Sequence, residues 1–292
     1  MFLAKKFKTE ILSYDSRQFY KELKIGSSMP TDEELSSVPH HFIGHLTIHQ
    51  NYNVKCFEKE SLKKIQELFN KYSILIMVGG SGLYEKSITE GLSDIPNIDF
   101  NIRKNLIFNF EKKGILFLQK EFQKFEKKPY SIDINNPQRL IRYLEIVKST
   151  GNTPSFFFKK KKSRIEKDFT VLKIGLILPK HEIYFRINNR VDKMIKNGLI
   201  DEAKKYYHYK YLNSLQTIGY KEIFDFFDQK NSIHETIEKI KQNTRKYAKR
   251  QLTWYKKDTS IIWFNPKEKE KILNFILNQV GNTGFEPVTP CL

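Results

Sequence analysis

An α/β fold with an inserted helical domain is the class this sequence predicts, and three observations carry the prediction. Short apolar runs end in turn residues, amphipathic helical stretches separate them, and between Pro96 and Arg164 the strand signal disappears. The segment 10–14, EILSY, reads as a first buried strand. Residues 58–72, EKESLKKIQELFNKY, read as a helix, and 74–78, ILIMV, as a second buried strand running into Gly79-Gly80. Strands separated by helices make βαβ units and a doubly wound parallel sheet. Residues 97–164 place apolar side chains at helical spacing, as at Leu140, Tyr143, Leu144 and Val147, and form an all-helical insertion ending in the Lys159–Lys162 run. Residues 171–178, VLKIGLIL, return to the sheet as a further strand. Helices are expected over 181–207, 231–257 and 267–280, with 261–264 as a short strand between the last two. The α/β core therefore spans 1–96 and 165–280. The last stretch, 281–292, carries two Gly and two Pro and is expected to be disordered.

With 292 residues and 39% hydrophobic content, the chain is long enough for one large domain and a smaller inserted one. Its 51 basic and 33 acidic side chains leave a net charge of +18, which favours a polyanionic partner such as nucleic acid. A composition rich in Lys, Asn, Ile and Phe explains much of that excess without any site. Arginine is more selective: of nine, seven fall at Arg17, Arg139, Arg142, Arg186, Arg190, Arg245 and Arg250, within four short segments. A guanidinium offers a planar fork to phosphate and a stacking face to a base; ordinary ion pairing is the plainer alternative. Two cysteines, Cys56 and Cys291, without CxxC or HExxH, point to neither a disulfide framework nor a zinc site. No apolar leader and no run of 18 apolar residues is present, so export and membrane spanning are not expected, and the protein is expected in the cytoplasm as a monomer.

Five segments carry candidate chemistry. Asp15-Ser16-Arg17-Gln18 follows the first strand, at the carboxyl edge where open α/β sheets bind ligands, so Asp15 is placed to act as a general base; a helix cap or turn is the plainer role. Gly79-Gly80-Ser81-Gly82 follows the second strand, bringing backbone amides and the Ser81 hydroxyl to the same edge, or simply a tight turn. Pro137-Gln138-Arg139-Leu140-Ile141 opens a helix on which Arg139 and Arg142 share a face. Arg186 and Arg190 lie four apart, opposite a stripe of Ile187, Val191, Met194 and Ile195; the pair suits a diphosphate, or ion pairs with Glu182 and Asp192. In 244–255, TRKYAKRQLTWY, basic residues interleave with Tyr247, Gln251 and Trp254 on one face, as for RNA backbone and base contacts or as a core-facing aromatic stripe.

Six collinear blocks together resemble the tRNA isopentenyl/dimethylallyl transferase family: 15–43, 75–84, 136–146, 186–195, 216–223 and 244–255. The resemblance runs from residue 2 to about 280. It implies a P-loop-NTPase-like parallel sheet with a helical insertion that grips the anticodon stem-loop of tRNA. It implies transfer of a dimethylallyl group from dimethylallyl diphosphate to the exocyclic N6 amine of the adenine 3′ of the anticodon. Mg²⁺ is implied on the diphosphate, and a base flipped out of its stack. On the same footing Asp15 corresponds to the general base and Ser81 to a hydroxyl beside the adenine, usually Thr. Arg186 corresponds to a diphosphate contact, with Arg190 a second candidate.

The tRNA-contacting stretches of that family fall on Asp15, Ser16, Arg17 and Gln18; on Pro137, Gln138, Arg139, Leu140 and Ile141; and on Gln216, Thr217, Ile218, Gly219, Tyr220 and Lys221. A last stretch falls on Lys249, Arg250, Gln251, Leu252, Thr253, Trp254, Tyr255 and Lys256. The family's G-x-x-x-x-G-K-[ST] loop and the first strand before it have no counterpart in this sequence. That departure suggests a coding region beginning upstream of Met1. Alternatively the chain is an N-terminally truncated, inactive remnant that still binds tRNA; under either reading, poor or absent transfer is expected of residues 1–292 alone, without the phosphate cradle. A third alternative, a small-molecule kinase, is disfavoured by the absent P-loop and the six blocks.

Overall fold

Among the described residues the most deeply buried strand is the one that ends at Ser13, and that burial explains why Ile11 and Leu12 are apolar and β-branched or bulky at successive positions. The computed structural model describes residues 1–96, 98–126, 132–159 and 168–281. Helix α1 (Phe2–Lys6) precedes this strand, β1 (Ile11–Ser13). Helix α2 (Asp32–Ser37) is started by a capping box of Thr31 and Glu34. Strand β2 (His40–His41) and strand β3 (Ile76–Val78) flank β1 in a parallel sheet of order β2-β1-β3, with Leu12 opposite both His41 and Met77. The long helix α3 (Val54–Phe69), capped by Asn53, makes the crossover between β2 and β3. Helix α4 (Gly82–Thr89) leaves the sheet edge directly after the glycine loop.

Three expectations change here. The 171–178 strand forms as β4 (Ile174–Leu176) but pairs in parallel with β5 (Ile262–Phe264), making a separate two-stranded sheet rather than extending the first. The helix expected over 181–207 divides into α9 (Lys180–Lys196) and α10 (Leu199–Lys205), because Gly198 adopts a left-handed φ of 94° that no helix interior accommodates. Strand β3 is not fully buried: it lies at the edge of the described sheet, and Val78 is 52% exposed. Helices α11 (Tyr220–Phe227), α12 (Ile233–Tyr255) and α13 (Lys269–Gly281) complete this part of the chain. Most of the anticipated 281–292 tail, and most of the Lys159–Lys162 run, lie outside the described residues.

The chain divides into two compact units, Met1–Thr89 with Phe169–Leu292, and Glu90–Asp168. The first is built on Leu12, Phe19, Leu23, Phe57, Val191, Leu199 and Tyr220, all essentially buried. The second is helical among the described residues: α5 (Phe100–Lys113), α6 (Ile115–Gln123), α7 (Pro137–Thr150) and α8 (Pro154–Lys159). Its own core joins Leu106, Leu118, Phe122, Leu140, Tyr143 and Leu144. Helix α7 begins as its sequence dictates, with Asn136 accepting from the Arg139 amide and Pro137 in the first turn, and it stops at Gly151. Among the described residues no helix is long and apolar enough to cross a membrane.

Candidate active site

Parallel pairing of β1 with β3 sets the two loops at their carboxyl ends side by side, and short polar side chains stitch them together. The Ser16 amide donates to Ser81 Oγ at 3.2 Å, and the two serine hydroxyls lie 3.1 Å apart. The Ser81 carbonyl also receives the amides of Tyr84 and Glu85, so the residue starts α4 as well as joining the loops. Asp15 turns the chain after β1: its Oδ1 accepts the Arg17 amide at 3.0 Å, and its own amide donates to Ser13 Oγ at 3.2 Å. Asp15 is thus a turn residue and a candidate base at once, since among the described residues its Oδ2 takes no hydrogen bond. Burial pushes the carboxyl of Asp15 above the ordinary value, while the Arg17 amide and the Arg190 and Arg17 charges pull back. A carboxylate raised in this way is a stronger proton acceptor than a solvated one.

Helix α12 covers the glycine loop. Gln251 Nε2 donates to the Gly80 carbonyl at 2.9 Å, and Trp254 lies directly against Gly82; a Cβ at Gly80 or Gly82 would collide with these two side chains. The aromatic face is therefore not a core stripe. Tyr247 is 39% exposed and Trp254 46%, with the guanidinium of Arg250 5.7 Å above the Tyr247 ring. Burial raises the Tyr247 phenol and the Asp15 charge raises it further, which puts this ring in the electrostatic reach of the candidate base. Lys249, Arg250, Thr253 and Lys256 are exposed, whereas Gln251, Leu252 and Tyr255 are half-buried. Tyr14 and Tyr255 are neighbours whose phenols burial pushes upward, that of Tyr14 to about 12.

Arg186 and Arg190 line a cleft of about 960 Å³ with Lys21, Lys24 and Lys193, where Asp32 is the one acidic residue. Ile25, Met29, Pro30, Leu35, Ile43 and Met194 supply an apolar wall in the same cleft. The ion-pair alternative for the two arginines fails: Asp192 pairs with Lys241 at 2.8 Å and Glu182 with Lys267 at 3.2 Å. Arg190 instead donates through Nε to Ser28 Oγ at 2.7 Å. Lys21, Lys24 and Lys193 carried no signal in a chain with 42 lysines; only the fold picks them out.

Several residues placed in tRNA-contacting stretches turn out otherwise. Leu140, Ile141 and Tyr220 are corrected from contact residues to core residues: their side chains are 0%, 6% and 0% exposed, because each falls on the apolar face of its helix. Gly219 is also buried, its amide held by Glu222 at 2.7 Å. Pro137 and the exposed Gln138 and Arg139 begin α7 in the second unit, while Arg142 is tied to Glu145 at 2.5 Å and Arg103 reaches the same carboxylate at 2.8 Å. Gln216 and Lys221 are exposed, and Thr217 and Ile218 half-buried, before and at the start of α11. Ser13, Ser28 and the α10 residue Glu202 belong to the network around Asp15 and had no sequence signal.

The chain is similar to known proteins over nearly its whole length. A model of the IPP transferase family matches residues 18–258. A tRNA dimethylallyltransferase of Christiangramia forsetii is 49% identical over 281 residues, covering 96% of this chain and 92% of that protein. One from Flavobacterium psychrophilum is 44% identical over 282 residues, covering 94% and 91%. Among solved structures, the tRNA isopentenylpyrophosphate transferase of Bacillus halodurans superposes with a TM-score of 0.70 at 34% identity, over 97% of this chain and 92% of that one. A eukaryotic dimethylallyltransferase described as acting on tRNA gives a TM-score of 0.77 at 25% identity, over 96% and 75%.

Proposed function

The chain belongs to the IPP transferase family, and from that premise we propose that it transfers a dimethylallyl group from dimethylallyl diphosphate to the N6 amine of an adenine in the anticodon stem-loop of tRNA, 3′ of the anticodon. The single observation that carries the assignment of roles is the junction of the two sheet-edge loops, where Ser16, next to Asp15, bonds Ser81, and where the charge of Arg190, which lines the cationic, partly apolar cleft, acts on Asp15. The amine nitrogen attacks the first carbon of the allyl group, the carbon–oxygen bond breaks, and diphosphate leaves with the electron pair. Asp15 accepts the amine proton as its nitrogen becomes cationic. The Ser81 hydroxyl is placed to hold the base edge. Arg186 and Arg190 oppose the charge that grows on the leaving group, assisted by Lys21, Lys24 and Lys193, while the apolar wall receives the five-carbon chain.

Mg²⁺ is retained in this proposal as a passenger on the diphosphate, whose oxygens suit a hard dication. Among the described residues no group of three or more His, Cys, Asp or Glu could hold a metal ion. The exposed cations of α12, Lys249, Arg250 and Lys256, together with Gln138 and Arg139 of α7, supply the RNA backbone contacts, and Tyr247 and Trp254 offer faces to unstacked bases. A tRNA substrate suits a cytoplasmic enzyme, and the roles assigned to the site ask for no second copy of the chain.

The test is incubation with labelled dimethylallyl diphosphate and an anticodon stem-loop carrying adenine 3′ of the anticodon, read by mass as the gain of one five-carbon group. Asp15→Ala should abolish most of the product while leaving stem-loop binding intact. Equal product from wild type and Asp15→Ala would remove Asp15 from the chemistry.

A further inference from the structure

Glu202 makes contacts out of proportion to its place on a short helix. From the first turn of α10 its two carboxylate oxygens accept the amides of Ile25 at 2.9 Å and Gly26 at 3.0 Å, and the Tyr220 hydroxyl at 2.5 Å. Residue and partner are both buried, Glu202 at 9% exposure and Tyr220 at 0%. A buried carboxylate is tolerated when donors converge on it, and this one receives three.

What Glu202 holds is a tight turn. The Ser28 amide donates back to Ile25 and the Met29 amide to Lys24, each at 3.0 Å. The turn closes with Ser28 at a φ of 49°, a left-handed conformation that costs a non-glycine residue about 1 kcal/mol or more and persists only when its surroundings enforce it. Ser28 is also the junction of the site: its hydroxyl receives Arg190 Nε at 2.7 Å, and its carbonyl receives Gln18 Nε2 at 3.0 Å. Gln18 in turn accepts from Ser13 Oγ at 3.2 Å, and that same oxygen accepts the Asp15 amide at 3.2 Å. A continuous chain of hydrogen bonds thus runs from Glu202 through the strained turn to Arg190 on one branch and to Asp15 on the other.

We propose that Glu202, with Tyr220, is a positioning residue that sets the Arg190 guanidinium and, through it, the electrostatic setting of Asp15. This rests on the reading of Arg190 as a diphosphate contact and Asp15 as the base. Glutamine at position 202 would keep the shape but bring an NH₂ donor where only donors converge, so the turn loosens. Arg190 then loses its anchor and spends less time facing the diphosphate and Asp15. Neither Glu202 nor Tyr220 touches substrate.

The experiment measures two quantities on wild type, Arg190→Ala, Ser28→Ala, Glu202→Gln and their Ser28→Ala/Glu202→Gln combination. One is affinity for dimethylallyl diphosphate by calorimetry; the other is the titration of the Asp15 carboxyl by carbon NMR. Expected is a loss of affinity of about tenfold in Glu202→Gln, the scale of one slackened charge-assisted contact. An upward move of the Asp15 titration should accompany it, in the same direction as in Arg190→Ala. The combined variant should be no weaker than the worse single variant, because both act through one path. Tyr220→Phe, which keeps the carboxylate and both amide bonds, should shift both readouts the same way but less, and it guards against a Glu202→Gln chain that does not fold. Additive losses in the combination, or an Asp15 titration unmoved in folded Glu202→Gln and Tyr220→Phe, would overturn the proposal. If Arg190→Ala itself leaves affinity and titration unchanged, the failure lies in the site reading rather than in the positioning role.

Discussion

Asp15 shows how a residue can cost stability for the sake of chemistry. Burial raises its carboxyl, so the folded chain prefers the protonated form more than the unfolded chain does. The sign follows: the stabilising preference is fully present below the unfolded value and is lost as pH climbs through the raised folded value. At neutral pH the buried anion is a burden, and Asp15→Asn should leave the melting temperature equal or higher while lowering turnover by about 10²-fold or more, the usual scale for a lost general base. A lower melting temperature together with wild-type turnover would contradict both halves. The same shift predicts that kcat/KM falls on the acid side through a group titrating above the normal carboxylate range, and that this limb moves further up in Arg190→Ala, where one of the opposing charges is gone. A limb at the ordinary aspartate value, measured by a pH series at saturating tRNA, counts against Asp15 as the base. The loop positions of Asp15 and Ser81 were legible in sequence because each follows a strand with a distinctive pattern after it. Ser28 was not, since the second serine of KIGSSMP signals neither its left-handed backbone nor a partner 162 positions away.

Among the elements, α12 and the glycine loop depend on each other. The loop has glycine at 80 and 82 because Gln251 and Trp254 occupy the space a Cβ would need, and the helix keeps its exposed aromatic face because that loop, not the core, lies beneath it. Gly82→Ala should therefore push Trp254 off the loop, lowering turnover about tenfold or more through misplacement of Ser81, with fluorescence of the two-tryptophan chain reporting the displacement. Unchanged emission and unchanged rate would show the contact to be slack. The exposed cations of the same helix make a different kind of prediction: replacing Lys249 or Arg250 by alanine should weaken stem-loop binding for all sequences and reduce the salt slope of log K by about one each. A slope that stays at the wild-type value takes that side chain out of the phosphate interface. Helix periodicity made α7 and α12 readable in advance, with Pro137 marking the start of α7, whereas the capping box of Ser232 and Glu235 emerged only in the fold. The pairing of β4 with β5 was not readable, because an apolar run announces a strand but not its neighbour, and β2 is two histidines long with no pattern to detect.

At the scale of the whole chain, a net charge of +18 and two compact units with separate cores are the properties that matter for a tRNA enzyme. The sequence announced the helical unit by the loss of strand signal, and the structure carries it from Glu90 to Asp168. Helical spacing already set Leu140, Tyr143, Leu144 and Val147 on one apolar face, and that face, with Ile141 beside it, is the core of the unit, so Leu140 and Ile141 are core residues rather than contact residues. That correction has a measurable consequence. Leu140 is fully buried against Leu118, Phe122 and their neighbours, so Leu140→Ala should cost the second unit about 2–5 kcal/mol, the range for emptying a packed leucine site. Because Leu12, Phe57 and Leu199 form a different core, the loss should appear as a separate, earlier calorimetric transition, with the melting of the first unit almost unmoved. Affinity for dimethylallyl diphosphate, whose proposed cleft is lined by first-unit residues alone, should survive at temperatures between the two transitions, while stem-loop affinity falls. A single cooperative transition shifted as a whole would mean that the two cores melt together, and loss of donor binding at the first transition would place part of its site on the helical unit.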